Sequence, residues 1–266
     1  MNDAPTTHWV HDLSPFLIQF SDTVGVRYYG LAYILGFALG GLILYRAANT
    51  KRLALPPAAV ADLMTALIIG VMVGGRLGYF FLYEPGSVLS DPLQLLRVWE
   101  GGMASHGGFI GVGVAMWWFA RKHDVRFLAL ADAVIAVAPL GVGLGRVANF
   151  INGELWGRAT NVSWAVIFPA SPAPVVPRHP SQLYAAALEG FLIFGYLQWR
   201  YWRSPSAKLN PGMITGEFLI IYAVARMVTE MFREPDASLL FGLTRGTFYS
   251  IFMIIAGVIV MRRAKA

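Results

Sequence analysis

The stretch from Phe127 to Val147 reads FLALADAVIAVAPLGVGLGRV, 21 residues in which only Asp132 and Arg146 are charged. About 20 predominantly apolar residues are enough to cross the hydrocarbon core of a bilayer as a helix. The stretch therefore predicts a transmembrane helix with an arginine near one end. A charge at membrane depth costs about 2.5 to 3.5 kcal/mol on insertion scales, so it is typical of a functional site.

Six further apolar stretches of similar length surround this one. The chain has 266 residues, of which 56% are hydrophobic and 14% charged, and this is too apolar for a soluble domain. We predict seven spans, near residues 25–45, 58–83, 104–120, 127–147, 182–202, 214–233 and 246–261. The expected fold class is an all-α polytopic membrane protein with seven transmembrane helices. Residues 25–266 form its catalytic domain, with a small periplasmic head near 148–181.

Small groups of basic residues indicate the orientation of these spans. The groups follow the first, third, fifth and seventh spans: Arg46, Lys51 and Arg52; Arg121, Lys122 and Arg126; Arg200, Arg203 and Lys208; Arg262, Arg263 and Lys265. The positive-inside rule puts such loops in the cytoplasm, so the N-terminus and the loops near 84–103, 148–181 and 234–245 are periplasmic. The net charge of +6 is spread over these groups without a contiguous basic face, so nucleic acid is not an expected partner.

Two segments outside the spans carry weaker patterns. Residues 1–24 contain large apolar side chains at helical spacing: Trp9, Leu13, Phe16, Leu17 and Phe20. This periodicity favours a helical arm that lies on the outer membrane surface and is shortened or bent at Pro15. The run from Val162 to Phe168 alternates and is rich in β-formers, which predicts a strand in the head.

The chain contains no cysteine, and this excludes disulfides, thiol nucleophiles and cysteine metal sites. Any reactive thiol must belong to a partner, and no metal or cofactor is expected. Gly141, Gly143 and Gly145 resemble a dinucleotide fingerprint, but no βαβ unit surrounds them. Small residues at four-residue spacing predict instead that helices pack closely: Gly36 and Gly40; Gly70, Gly74 and Gly78; Gly107 and Gly111; Gly141 and Gly145.

Charged and aromatic residues cluster at the outer ends of the spans. Tyr222, Arg226, Glu230 and Arg233 are spaced by four, four and three, so they share one face of a helix. Arg76, Arg146 and Arg226 converge on one leaflet with fewer carboxylates nearby at matching depth, and Glu189 sits about two turns below the outer end of its span. Guanidinium groups bind phosphate in a bidentate fork, so a phospholipid headgroup is the expected anion. The alternative is that these charges pair with one another and lock the bundle.

His106 begins the third span beside Gly107 and Gly108. The exposed amides and dipole of a helix N-terminus disfavour an imidazolium, so we expect a neutral ring that can accept a proton. The string from Gly145 to Arg158, GRVANFINGELWGR, gathers amides, a carboxylate, arginines and glycines at the exit of one span. It reads either as a ligand site or as an elaborate helix cap.

This string resembles the signature of the prolipoprotein diacylglyceryl transferase family of bacterial membrane enzymes. Further motifs resemble the family's landmarks in the same order: Tyr28 to Gly30, Gly74 to Tyr79, Arg97 to Met103, His106 to Gly108, His179 to Tyr184 and Arg226 to Asp236. Together they cover nearly the whole chain. One departure is Ala185, where the family commonly has an acidic residue.

The resemblance implies transfer of a diacylglyceryl group from phosphatidylglycerol to the lipobox cysteine of a preprolipoprotein signal peptide, which forms a thioether and releases glycerol phosphate. Its location would be the bacterial inner membrane, among membrane lipids, with the active site toward the periplasm and the C-terminus in the cytoplasm. The family motifs carry function over to His106, Arg146, Asn149, Glu154, Gly157, Tyr222 and Arg226, with Tyr29 a further candidate. From their positions, Arg76, Asn152, Glu230 and Arg233 are expected to help bind the substrate.

The mechanism expected from these residues begins with His106 taking the thiol proton. Arg146 and Arg226 would stabilise the departing phosphate, while Glu154 and Glu230 orient them. An alternative is that Arg146 activates the thiol electrostatically. A lipid flippase is the rival function, but it needs polar residues along both leaflets, and an intramembrane protease needs a serine or paired aspartates in a setting that this chain lacks.

Overall fold

The computed structural model describes residues 8–21, 24–97, 101–205, 209–235 and 238–265, and within these the chain is mostly helical. Several positions named above lie outside the described residues: 1–7 and 22–23 of the N-terminal arm, 98–100 of the Arg97 to Met103 motif, Lys208 and Asp236.

The predicted spans coincide with helices. The helices are α1 Tyr28–Asn49, α2 Ala59–Tyr83, α3 Pro85–Ser90, α4 Ser105–Lys122, α5 Phe127–Ile151, α6 Ser181–Ala185, α7 Ile193–Arg203, α8 Met213–Glu230 and α9 Arg245–Lys265. A π-helical segment, Ala186–Leu192, joins α6 to α7 without a break, and a 3-10 turn, Pro92–Leu96, follows α3.

Four helices in the described part of the chain are long and apolar enough to cross a membrane. These are α1, α2, α5 and α9, and they correspond to the first, second, fourth and seventh predicted spans. The helices α4 and α8 have 18 residues each, which is at the short end for a span. The protein is therefore a helical membrane protein with at least these four candidate spans.

The chain forms two compact units, residues 41–133 and residues 1–40 with 134–266. In the first unit, α2 and α4 approach each other along a seam of glycines. A Cβ added at Gly107 would overlap the carbonyl oxygen of Gly74, and one added at Gly111 would overlap that of Gly70. Because these positions repeat every four residues, the seam confirms the packing predicted from glycine spacing for this pair of helices.

The second unit has its own close approaches. A Cβ added at Gly190 of the π segment would overlap the Cα of Gly143 on α5, and one at Gly257 of α9 would lie 2.8 Å from the carbonyl oxygen of Gly216 on α8. The spacing pattern named Gly141 and Gly145 on α5, but an added Cβ meets nothing within 4 Å at either position, and the close approach is made by Gly143 between them. The pattern also missed Gly190, Gly216 and Gly257.

Short strands pair within the second unit, and two of them lie in the segment 148–181 that was predicted to form a head. The strands are β1 Trp9–Val10, β2 Phe16–Gln19, β3 Gly25–Arg27, β4 Val166–Ile167 and β5 Pro177–Arg178. Their order is β1-β4-β5 in one sheet, with β1 parallel to β4 and β5 antiparallel to it, while β2 and β3 form an antiparallel hairpin. The strand predicted between Val162 and Phe168 is confirmed for its last part.

The helical arm predicted for the N-terminus is wrong. Residues 9–10 and 16–19 are strands, and the amide of His11 donates to the carbonyl of Ile167 at 2.8 Å. The helical spacing of the apolar residues reflects only the local sequence. The backbone of residues 9–10 pairs instead with β4, a strand much later in the chain, and this pairing outweighs the local preference for a helix. The ring of His11 also donates from Nε2 to the carbonyl of Phe150, 2.7 Å away, in the last turn of α5.

Candidate active site

Glu189 lies at the centre of the charged cluster of the second unit. Its side chain is fully buried, and its two oxygens face both predicted arginines. Oε2 accepts from Arg146 Nη2 at 3.4 Å and from the Tyr222 hydroxyl at 3.3 Å. Oε1 accepts from Arg226 Nη1 at 3.4 Å and from the Thr229 hydroxyl. One carboxylate of the π segment therefore connects α5 with α8.

A second carboxylate holds Arg226 from its own helix. Glu230 is one turn further along α8 and accepts from Arg226 Nη2, and its side chain is 7% exposed. The expected contact between Glu230 and an arginine is present, and its orienting role stays a prediction. Arg146 and Arg226 meet two carboxylates here, which favours the alternative that the charges of this cluster pair with one another.

Close backbone packing explains how Arg146 reaches Glu189. Gly143 lies three residues before Arg146, and Gly190 follows Glu189, and the two glycines touch. Side chains at i and i+3 share a helix face, so the approach of the two backbones brings the neighbouring charges together. The π segment carries Glu189, and such segments occur often at functional sites because the extra residue re-aims the side chains.

The helical stripe predicted on α8 is correct for Tyr222, Arg226 and Glu230 and wrong for Arg233. The helix α8 ends at Glu230, so Arg233 lies beyond it. There the backbone of Arg233 forms a bridge with Gly157, and its carbonyl accepts from Arg158 Nε at 3.0 Å. Arg233 therefore helps to join the head to the end of α8.

Glu154 contacts two amides where an arginine was expected. Its Oε1 accepts from Asn149 Nδ2 at 2.8 Å and from Asn152 Nδ2 at 3.2 Å. Its backbone carbonyl accepts from Gln182 Nε2 at 2.6 Å. Asn149 lies three residues after Arg146, so this amide cluster continues the charged face of α5 by one turn.

Gly157 has a packing reason to be glycine. A Cβ at this position would lie 2.5 Å from the carbonyl oxygen of His179 and 2.6 Å from that of Phe232. The amide of Gly157 donates to the same His179 carbonyl at 2.9 Å. These contacts support a structural role for Gly157 beside the site.

Arg76, in the other unit, is surrounded by backbone carbonyls and is 4% exposed. A guanidinium has five N–H donors. They go to five carbonyl oxygens: Leu95 at 3.3 Å from Nε, Gly101 and Gly102 from Nη1, and Gln94 and Arg97 from Nη2. The cation also lies 4.7 Å from the centre of the Phe80 ring. With its donors used in this way, Arg76 fits a loop clamp better than the phosphate ligand expected from sequence.

His106 and Tyr29 are positioned by helix starts. His106 is the second residue of α4, in the unit formed by residues 41–133, and its side chain is exposed. Tyr29 lies in the first turn of α1, where its ring is 5.4 Å from that of Tyr33. The helix N-terminus predicted for His106 is confirmed, and its role as a base stays a prediction.

Comparison with known proteins identifies the family of this chain. The family model described as prolipoprotein diacylglyceryl transferase matches residues 15–263. The chain belongs to that family. Three relatives are phosphatidylglycerol–prolipoprotein diacylglyceryl transferases. The protein from Ruegeria pomeroyi is 42% identical over 96% of both chains. Those from Nitrosomonas europaea and Zymomonas mobilis are 46% and 43% identical, over 88% and 87% of this chain and 84% and 81% of theirs.

Sequence reasoning missed several residues of this family member's charged cluster. It noted the depth of Glu189 but gave it no role, and it overlooked Thr229. Gly246 of α9 was also missed: a Cβ there would lie 2.5 Å from Glu230 Oε1 and 2.8 Å from Arg226 Nε. The available signal was a carboxylate within an apolar span, which is expensive unless it has partners.

In this prolipoprotein diacylglyceryl transferase family member, the segment predicted as a head contains a histidine, His179, whose ring contacts a tyrosine hydroxyl. Trp164 Nε1 donates to the Tyr184 hydroxyl at 2.7 Å, and that hydroxyl lies 3.2 Å from His179 Nδ1. Because an indole only donates, the Tyr184 oxygen accepts from Trp164 and its proton is free to go to His179. Burial lowers the pKa of His179 below its ordinary value of 6.5.

Acid is therefore expected to loosen the head. The unfolded chain binds the His179 proton more tightly than the folded chain, so stability falls as the pH drops through about 6.5. The melting temperature should decrease between about pH 7.5 and pH 5.5, and it should decrease less in His179→Gln. Equal decreases in both proteins would assign the acid sensitivity to other groups.

Proposed function

We propose that this protein transfers the diacylglyceryl group of phosphatidylglycerol to the lipobox cysteine of preprolipoproteins, the first step of bacterial lipoprotein maturation. Membership of the family and the names of its relatives support this reaction. The observation that carries it is the pairing of Arg146 and Arg226 around one buried carboxylate, Glu189, which joins three helical segments. No cysteine of its own competes with the substrate thiol.

The reaction is a displacement at carbon. The cysteine thiolate attacks the glyceryl carbon that bears the phosphate, a C–S bond forms, and the C–O bond breaks with its electron pair leaving on the phosphate oxygen. Arg146 and Arg226 stabilise the negative charge that collects on glycerol phosphate as it departs. Their guanidiniums stay charged at any working pH, so they need no proton of their own to do this.

The other site residues support this step. Asn149 and Asn152, oriented by Glu154, hydrogen-bond the headgroup, and Tyr222 and Tyr29 line the path of the reacting groups. Glu230 fixes Arg226. Gly157 and Arg233 hold the loops beside this cluster through the backbone contacts described above, and Arg76 holds a loop of its own unit.

The protein resides in the bacterial cytoplasmic membrane with seven spans. The four long apolar helices supply the first, second, fourth and seventh of them. The helix α4, the run from α6 to α7, and α8 supply the others. The basic loops set the N-terminus and the small head in the periplasm and the C-terminus in the cytoplasm. Both lipid and signal peptide then reach the site within the outer leaflet.

Mass spectrometry of a lipobox peptide tests the reaction directly. Purified protein is mixed with phosphatidylglycerol vesicles and the peptide, and we expect a diacylglyceryl adduct on the cysteine with release of glycerol phosphate. A peptide with serine in place of cysteine and vesicles without phosphatidylglycerol are the controls. An unmodified peptide in the complete mixture would refute the proposed function.

His106 is the proposed base. Substitution by glutamine should lower kcat by about 100-fold or more, because general-base catalysis contributes about 10² to 10⁴. The side chain is exposed, so this variant should fold as the parent does. Initial rates of peptide modification by the two proteins measure the effect. Undiminished activity would leave Arg146 to activate the thiol electrostatically.

A further inference from the structure

Resting on the proposed function, we propose that Glu189 is the positioning residue of the site: it holds both arginines and Tyr222 in place and keeps their charge in balance. The carboxylate is fully buried, so it acts through these side chains and not on the substrate itself. No other residue in the described part of the chain contacts Arg146, Tyr222 and Arg226 together.

The hydrogen-bond census supports an ionised carboxylate. An ionised carboxylate only accepts and offers about four positions. All four neighbours of Glu189 donate, two to each oxygen: Arg146 and Tyr222 to Oε2, and Arg226 and Thr229 to Oε1. A protonated carboxyl would have a donor of its own, and its O–H would face one of these N–H or O–H groups with no acceptor between them. The surroundings therefore match a negative charge at this point.

The distances leave the arginines available to an anion. Charge-assisted N–H···O bonds are usually about 2.7 to 2.9 Å long, whereas both arginines lie 3.4 Å from Glu189. Arg146 is 19% exposed, and within the described residues its side-chain hydrogen bond is to Glu189 alone. Most of its N–H groups are therefore free for a phosphate. Glu189 fixes the direction of the guanidinium without using up its donors.

The charges of the cluster sum to zero when both carboxylates are ionised. Arg146 and Arg226 carry two positive charges, and Glu189 and Glu230 carry two negative charges. A neutral cluster binds a phosphate through oriented donors and releases the dianionic product readily. If Glu189 is neutralised, the cluster keeps one net positive charge, so it should hold glycerol phosphate more tightly while orienting it less well.

The variant Glu189→Gln keeps the size of the side chain and removes its charge. We expect kcat to fall by about 100-fold, the loss that about 1 Å of misplacement can cause. The KM for phosphatidylglycerol should stay equal or decrease, and inhibition by added glycerol phosphate should become stronger. A loss of packing alone would not tighten product inhibition, so this split distinguishes positioning from structure.

The matched control is Glu217→Gln. Glu217 is a partly buried carboxylate on α8 that accepts from Arg200 and Tyr196 of α7, so it has the same kind of partners away from this cluster. Its replacement should leave kcat, KM and product inhibition unchanged for the folded protein. Glu189→Asp, which restores the charge on a shorter side chain, should recover part of the lost kcat.

The outcomes separate this proposal from the proposed function. If the parent protein modifies the peptide and Glu189→Gln has parental kcat and product inhibition, Glu189 is not a positioning residue. If the parent protein does not modify the peptide, the proposed function fails first. Should Glu189→Gln not fold, Thr229→Val removes one donor to Oε1, and it should lower kcat about three-fold with KM unchanged. Parental kinetics in that variant would also overturn the proposal.

Discussion

Replacing Arg226 by lysine should lower the rate of peptide modification by about 100- to 1,000-fold, the loss that follows removal of one well-placed donor to a developing oxyanion. Lysine keeps the charge but not the planar fork. Arg226 uses Nη1 for Glu189 and Nη2 for Glu230, so its plane is set from two sides. A single ammonium cannot keep both contacts and also face a phosphate. Initial rates with phosphatidylglycerol vesicles and the lipobox peptide measure the effect.

Arg200 supplies a matched control for this substitution. Its side chain is 16% exposed, as is that of Arg226, and it is paired with Glu217, which, like Glu230, is a carboxylate of α8. Arg200→Lys should therefore show a comparable change in stability with little change in rate. Equal losses of activity in the two variants would mean that lysine disturbs the bundle in general and that Arg226 has no special part in the reaction.

Replacing Gly111 by alanine should prevent α2 and α4 from packing. The added methyl group overlaps the Gly70 carbonyl oxygen, which belongs to the backbone of α2 and cannot rotate away. Overpacking costs about 1 to 3 kcal/mol where side chains can adjust, and more is expected where two backbones must separate. We expect most of the variant to aggregate on extraction, and the folded remainder to melt at a much lower temperature.

Gly113, on the same helix, provides the comparison. A Cβ there meets nothing within 4 Å. Gly113→Ala should keep or raise the melting temperature, because alanine favours a helix over glycine by about 1 kcal/mol. If both variants melt at the same temperature as the parent, the two helices do not depend on the seam.

The helices and their close packing could be predicted because their causes are periodic in the sequence. Four-residue spacing put Gly70 and Gly74 on one face of α2, and the same rule aligned Tyr222 with Arg226. Periodicity reports which residues share a face of one helix. It carries no information about which face of another helix comes opposite.

The convergence on Glu189 could not be predicted for that reason. Its partners Arg146 and Arg226 are 43 and 37 residues away, and the π segment shifts its direction relative to a regular helix. The N-terminal strands escaped prediction in a similar way, because β1 is stabilised by β4 from a remote part of the chain. Arg76 was misinterpreted since its partners are main-chain oxygens, which every residue has.

The grip of Arg76 has a consequence for how this protein can change over time. The arginine holds Gln94, Leu95, Arg97, Gly101 and Gly102 by their carbonyl oxygens alone, and these atoms do not depend on the side chain of the residue. The side chains at positions 94 and 95 can therefore change while Arg76 keeps the same main-chain partners. Gly101 and Gly102 are the exception, because both have positive φ and a Cβ added at Gly102 would lie 2.9 Å from Arg76 Nη1.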